Sequence, residues 1–294
     1  MVIGFVNSGM MKLKQAIGII MGANIGTSIT GWILCLSYIQ GSGGIASILS
    51  TATISAVVAI IGIILRMFCK RSVHKNIGNI MLGFSILMTG MQTMSGAVAP
   101  LRESKVFIDM LTMFSNPLAG ILVGILFTAV LQSASATVGV LQALSVTGIL
   151  TFASAFPIVL GIGVGAACPV LISAIGANKN AKRAAMIHLY FNLIGTVVFM
   201  SLFYLINTAV HFPFMTQMAT PATIAITHSV FNITATLVWL PFSNLLVKLA
   251  CLTIRDDKSD EVSKEDQEFM ILESRFLEKP AFAVEQGRNA ARHM

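Results

Sequence analysis

Gln132-Ser133-Ala134-Ser135-Ala136-Thr137-Val138-Gly139 places four polar side chains within six residues, in the middle of hydrophobic sequence. The apolar run Pro117–Leu131 precedes it and Val138–Leu150 follows. In hydrocarbon such groups are costly unless partnered, so they mark function by default. Pro117–Leu131 makes roughly 22 Å of helix, short of the ~30 Å apolar core of a bilayer. A half-length helix ending in an amide and hydroxyls reads as a discontinuous membrane element whose broken end faces a cavity. The competing reading is a continuous helix whose Ser/Ala face packs on a neighbour.

The rest of the chain has the composition of a polytopic membrane protein. Mean hydropathy is +0.84, with 55% hydrophobic and 11% charged residues. Up to residue 254 there are twelve Lys/Arg and two acids, Glu103 and Asp109, a net of +10. From residue 255 onward seven Lys/Arg face ten acids, a net of −3. The basic residues are therefore loop clusters that orient the chain in a membrane. They are not a nucleic-acid footprint, and no nucleic-acid partner is expected. The scarcity of carboxylates argues against proton relays and two-carboxylate hydrolysis. A site of hydroxyls, amides and backbone groups instead suits an anion. Cys35, Cys69, Cys168 and Cys251 stand singly, without metal or redox spacing.

Working outward, Ala16–Ile39 is long enough to span but contains Gly18, Gly22, Gly26 and Gly31, with Asn24, Thr27, Ser28 and Thr30 between them. That composition predicts a broken or irregular helix. Gln40–Gly44 reads as a turn, and Ile45–Phe68 and Ile77–Pro100 as spanning helices. Val106–Phe114 is a short amphipathic segment, and Ala155–Ile175 is again punctuated by glycine. Ala184–Ile206 and Ala222–Leu252 complete the set, with a kink or break expected at Pro241. Lys70, Arg71, Lys75 and then Lys179, Lys182, Arg183 mark the inner side. Lys248 and Arg255 put the C-terminal tail in the cytoplasm.

An internal repeat runs at an offset of 139. Gly9, Ala16, Ile19, Gly22 and Gly26 align with Gly148, Ala155, Ile158, Gly161 and Gly165. Paired Gly-interrupted segments in corresponding halves point to a transporter site. On this alignment the counterpart of Gln132–Gly139 falls before residue 1, so the chain is expected to begin inside its first repeat.

These motifs resemble the type II sodium/phosphate cotransporter family, in its bacterial branch. Gln132-Ser133-Ala134-Ser135 resembles the second QSSS motif of that family, with one Ser replaced by Ala. Gly22-Ala23-Asn24-Ile25-Gly26-Thr27 resembles its first glycine-rich motif. Gly176–Ala185 and His188-Leu189-Tyr190-Phe191-Asn192 are also similar to bacterial members. Phe269–Met294 resembles the opening of the PhoU-like helical domain that many of them carry. Departures are the missing first QSSS, and Gly163, Ala166 and Pro169 standing opposite Asn24, Thr27 and Thr30.

The resemblance implies an all-α polytopic bundle with inverted repeats and discontinuous or re-entrant Gly-rich helices. It implies a transporter core over residues 1–254, its first repeat incomplete. Residues 255–294 are then a cytoplasmic charged linker and the start of the PhoU-like domain. It also implies Na⁺/phosphate symport across the cytoplasmic membrane, with Na⁺ as the coupling ion and no further cofactor. Gln132, Ser133, Ser135 and Thr137 carry over to the substrate and ion site, with Asn24, Thr27, Ser28 and Thr30 as first-half counterparts. An apparent truncation at both ends leaves a second reading open, a non-transporting remnant or regulatory scaffold. A third, an intramembrane serine enzyme using Ser133 with His188 or His228, lacks an orienting acid and a hydrolase motif. For Asn24 an interhelical hydrogen bond is the competing role. The pairs His188/Asn192 and His228/Asn232, each at i, i+4, read as structural glue.

Overall fold

The computed structural model describes residues 1–38, 51–105 and 116–255. The expected turn at Gln40–Gly44, the segment Val106–Phe114, Asp109 and the PhoU-like stretch lie outside the described residues. The chain divides into two compact units, Met1–Lys248 and Leu249–Met294, and the architecture below is that of the first.

The described chain is helical. In order come α1 (Val2–Asn7), α2 (Leu13–Cys35), α3 (Thr51–Phe68), α4 (Ser72–Val98), α5 (Pro117–Leu131), α6 (Ala134–Val146), α7 (Phe152–Gly165), α8 (Ala167–Ser173), α9 (Lys179–Val210), α10 (Pro221–Trp239) and α11 (Ser243–Thr253). Short polar residues start five of them. Asn116 accepts from the Leu118 N–H, Ser133 from Ala136, Thr151 from Ser154, Asn178 from Ala181 and Thr220 from Thr223. Each cap satisfies an N–H that has no partner inside its helix.

Among the described residues four stretches are long and apolar enough to cross a membrane: Leu13–Tyr38, Phe152–Ser173, Lys179–Val210 and Pro221–Trp239. Of the two other expected spans, α3 is described from Thr51. The 27-residue α4 has the length, but its Gly, Asn, Gln, Ser and Thr dilute the apolar character and it is not among the four. The break at Pro241 is present, since α10 ends at Trp239 and α11 starts at Ser243.

One expectation is corrected: α2 is continuous over 23 residues. Asn24, Thr27 and Thr30 donate to the carbonyls of Ile20, Ala23 and Gly26 one turn back. Their polarity is thus satisfied on the helix itself, and the four glycines lower its propensity without ending it. In the glycine-punctuated stretch at the offset of 139, α7 ends at Gly165 and α8 starts at Ala167, with Ala166 between them in helical conformation. Pro169, in the first turn of α8, has no N–H for the Gly165 carbonyl, so one rung of the helical ladder is missing there.

Glycine decides how α5 and α7 meet. A Cβ on Gly161 would collide with the Ile121 carbonyl, and one on Gly124 with the Ile158 carbonyl. A Cβ on Gly165 would lie 2.7 Å from both the Ile125 oxygen and Thr128 Cβ. The two backbones therefore touch directly. Gly163, on the opposite face of α7, lies against Asn192 of α9 and Phe231 of α10. In α2, by contrast, a Cβ on Gly22 or Gly26 would meet nothing within 4 Å.

The offset of 139 recurs in the backbone. α1 ends at Asn7, Gly9 has φ +74°, and α2 begins at Leu13. α6 ends at Val146, Gly148 has φ +71°, and α7 begins at Phe152. Both glycines hold the left-handed conformation that side chains resist. α1 is further tied to the start of α9. The Asn178 N–H donates to Asn7 Oδ1 and Asn178 Nδ2 to the Asn7 carbonyl, both at 2.7 Å.

Candidate functional site

The helix does break at Gln132, and the reading of a continuous helix there is excluded. α5 ends at Leu131, and Gln132 turns the chain with φ 55° and ψ 21°, in the left-handed region. Ser133 is extended, at φ −147°, and starts α6 one residue later. The Gln132 N–H donates to the Thr128 carbonyl at 2.7 Å, closing α5. Ser133 Oγ accepts from the Ala136 N–H at 3.2 Å. The Ser133 carbonyl accepts from both the Thr137 N–H and Thr137 Oγ1. Ala134 and Ser135 occupy the first positions of α6, where N–H groups have no intrahelical acceptor. Gln132 is exposed, Ser133 and Ser135 are half-buried, and Thr137 is buried. The break thus opens a helix N-terminus, with its partial positive charge, beside an amide and two hydroxyls.

Thr128 was not singled out from sequence. It sits one turn before Gln132, and its Oγ1 is fully buried and unpartnered. The signal that could have found it is its i−4 position relative to the break, on the same helix face.

The α2 residues divide. Asn24, Thr27 and Thr30 use their donors on their own helix, so Asn24 does not donate to a neighbouring helix. Ser28 points across to α10: its Oγ donates to the His228 carbonyl at 3.2 Å and accepts from Asn232 Nδ2 at 2.8 Å. Next to it Trp32 Nε1 donates to Ser229 Oγ at 2.9 Å. Asn192 Nδ2 donates to the His188 carbonyl within α9. The glue expected of the His/Asn pairs is therefore interhelical at Asn232 and local at Asn192.

The two polar sets do not bond each other among the described residues. α2 and α6 meet just beyond them. Gln142 Nε2 donates to the Gly31 carbonyl at 3.0 Å and to the Pro221 carbonyl at 3.2 Å. A Cβ on Gly31 would lie 3.5 Å from Val138 Cγ1, and one on Gly139 would lie 3.4 Å from Leu34 Cδ1. Gln142, fully buried, ties three helices together, and sequence reading passed over it.

Several polar side-chain atoms on α6, α9 and α10 are buried without a partner: Gln142 Oε1, Asn192 Oδ1, His228 Nδ1, Asn232 Oδ1 and Thr236 Oγ1. His228, Asn232 and Thr236 follow at i, i+4 and i+8, one stripe of α10. Among the described residues there is no cluster of three His, Cys, Asp or Glu that could hold a metal. The four cysteines are half-buried and unpaired. The chemistry available is that of amides, hydroxyls, carbonyls and helix ends.

The comparisons with known proteins agree with this chemistry. A family model described as Na+/Pi-cotransporter matches residues 1–96 and 102–216. "Uncharacterized protein YqeW" of Bacillus subtilis is 27% identical over 86% of this chain and 77% of its own length. "Putative inorganic phosphate export protein YjbB" of Escherichia coli is 24% identical over 87% of this chain. "Sodium-dependent phosphate transport protein 2A" of Rattus norvegicus is 31% identical over 42% of it. The chain spans 45% of YjbB and 21% of the rat protein. No solved structure matches the chain significantly.

Proposed function

The chain belongs to the Na+/Pi-cotransporter family, and on that premise we propose that it moves inorganic phosphate across the cytoplasmic membrane with Na⁺ as the coupling ion. Membership places it among multi-pass membrane transporters rather than enzymes. The observation that carries the reading is the break at Gln132. It presents the N-terminus of α6, with Ser133, Ser135 and Gln132 beside it. Free N–H groups and the helix dipole favour an oxyanion there. Thr137, Asn24, Thr27, Ser28 and Thr30 complete the proposed set of phosphate and Na⁺ ligands. Their oxygens are hard donors, which suit Na⁺.

Inverted repeats follow as part of the proposal. The equal spacing of helix ends and left-handed glycines at an offset of 139 supports two related halves. The broken pair α5–α6 is then a discontinuous element lining the path. Residues 1–254 form the transporter core in this reading, and residues 255–294 a cytoplasmic extension opening a PhoU-like domain.

Direction is the second reading. The printed name of YjbB assigns it export, whereas that of the rat protein specifies sodium dependence. The test is labelled-phosphate flux in proteoliposomes under inward, outward and zero Na⁺ gradients. Accumulation that follows the inward gradient supports symport. Efflux that ignores Na⁺ selects export. Flux in neither direction selects the remnant or scaffold reading and removes the proposal.

A further inference from the structure

The side of the bundle formed by α7, α9 and α10 contains a cavity of about 310 Å³. Five phenylalanines, Phe152, Phe156, Phe199, Phe203 and Phe214, are among its lining residues. The rings brace one another: Phe156 stacks on Phe203 with centroids 4.1 Å apart, and Phe152 meets Phe214 edge-on at 5.0 Å. Such edge and stacked contacts hold aromatic walls in place. Met218, Ile226 and Val230 line the rest together with three polar residues, Gln217, Thr223 and Thr227. Both hydroxyls donate to their own helix turn, Thr227 to the Thr223 carbonyl and Thr223 to the Thr220 carbonyl. No charged side chain lines the cavity. None of the proposed phosphate and Na⁺ ligands lines it, so it is separate from the proposed transport site.

We propose that this cavity holds one acyl chain of a bilayer phospholipid. Its volume and its lining, apolar with a few polar groups, are those of a small-molecule site. Its rim is continuous with the surface that a multi-pass protein turns to lipid. Ile226 and Val230, both in the lining, are each 47% exposed. Ile233 and Leu237 carry the same exposed apolar face further along α10. The cavity also lies at the right depth for a lipid tail near its headgroup. Val230 is nine residues into α10, roughly 14 Å from the helix start. Gln217 belongs to the connecting segment just outside that start, the end at which a membrane-crossing helix meets headgroups. Left empty, such a wall would lose dispersion contacts outright. Filled, it braces Phe152 and Phe156 on the face of α7 turned away from α5.

The test uses the full chain in detergent with palmitoyl-oleoyl-phosphatidylethanolamine added, read by native mass spectrometry. The expected result is one phospholipid retained per chain. Val230→Trp and Ile226→Trp fill the cavity from its rim, at positions exposed enough to accept a larger ring. Both are expected to bind at least about tenfold more weakly. Leu237→Trp, on the same helix but outside the cavity, is expected to bind as the parent does. Elution as a single folded species is checked for each variant. Any one of four results overturns the proposal: no retained phospholipid, unchanged retention by both rim variants, equal loss in Leu237→Trp, or retention of palmitate in place of phospholipid. The outcome is independent of whether the chain transports phosphate.

Discussion

Gly165 and Gly26 stand 139 residues apart at matched positions, and alanine should act on them in opposite directions. At Gly165 the new Cβ would lie 2.7 Å from the Ile125 oxygen and from Thr128 Cβ, where ordinary contact begins at 3.4 Å. α5 and α7 must then separate by about 0.7 Å, because the obstruction includes backbone, which cannot rotate away. A gap of that size forfeits about a quarter to a half of each dispersion contact along the seam. Overpacking of this kind costs about 3 kcal/mol at the upper end of its usual range. Removing a helix glycine returns about 1 kcal/mol, so the net loss is about 2 kcal/mol. At Gly26 nothing lies within 4 Å of the added atom. Only the propensity gain of up to about 1 kcal/mol remains there. The two variants should therefore differ by about 3 kcal/mol. At about 2–4 °C per kcal/mol for a chain of this size, that is roughly 6–12 °C in Tm. The four half-buried cysteines give a direct readout, through a maleimide dye that fluoresces as heating exposes them. Equal Tm values, or a less stable Gly26→Ala, would refute backbone-to-backbone packing of α5 on α7.

Four further outcomes follow from the same geometry. Ser133→Ala removes the cap of α6 and should cost about 1 kcal/mol of stability. Ser135→Ala should leave stability within about 0.5 kcal/mol while weakening apparent phosphate or Na⁺ affinity in flux assays; equal losses in folding and transport would return Ser135 to a structural role. A double-mutant cycle of Ser28→Ala with Asn232→Ala should give a coupling of about 0.6 kcal/mol, and no more than about 1.7. Additive single effects would show that the 2.8 Å bond contributes nothing. Asn178→Ala loses both the cap on Ala181 and the donor to the Asn7 carbonyl, and should cost about 1–2 kcal/mol. Asn178→Asp keeps the cap alone and should fall between, as measured by the same thermal assay.

The sequence by itself determined that this is an all-helical membrane protein, and where its main helix breaks. Hydropathy and the crowding of Gln132, Ser133, Ser135 and Thr137 are local signals, and a half-length apolar run before them leaves few alternatives. The offset of 139 was also legible, because Gly9 and Gly148 stand at matching helix ends, where a left-handed backbone favours glycine. Tertiary structure decided the rest. Asn24, Thr27 and Thr30 looked like a second break, yet α2 runs through them, since each donor reaches a carbonyl one turn back. Whether a polar side chain turns to its own helix or to a neighbour depends on what packs there. Ser28 reached across because His228 and Asn232 stood opposite, 200 residues later in the chain. Thr128 and Gln142 read as ordinary helix residues, and only burial against other helices left their oxygens without partners. Equal glycines likewise took unequal roles: Gly161 and Gly165 lie against a helix backbone, while Gly22 and Gly26 lie against nothing within 4 Å. Local pattern carries helix length and termini, because those depend on near neighbours. Contacts between helices are made by residues far apart in sequence, and periodicity holds no record of them.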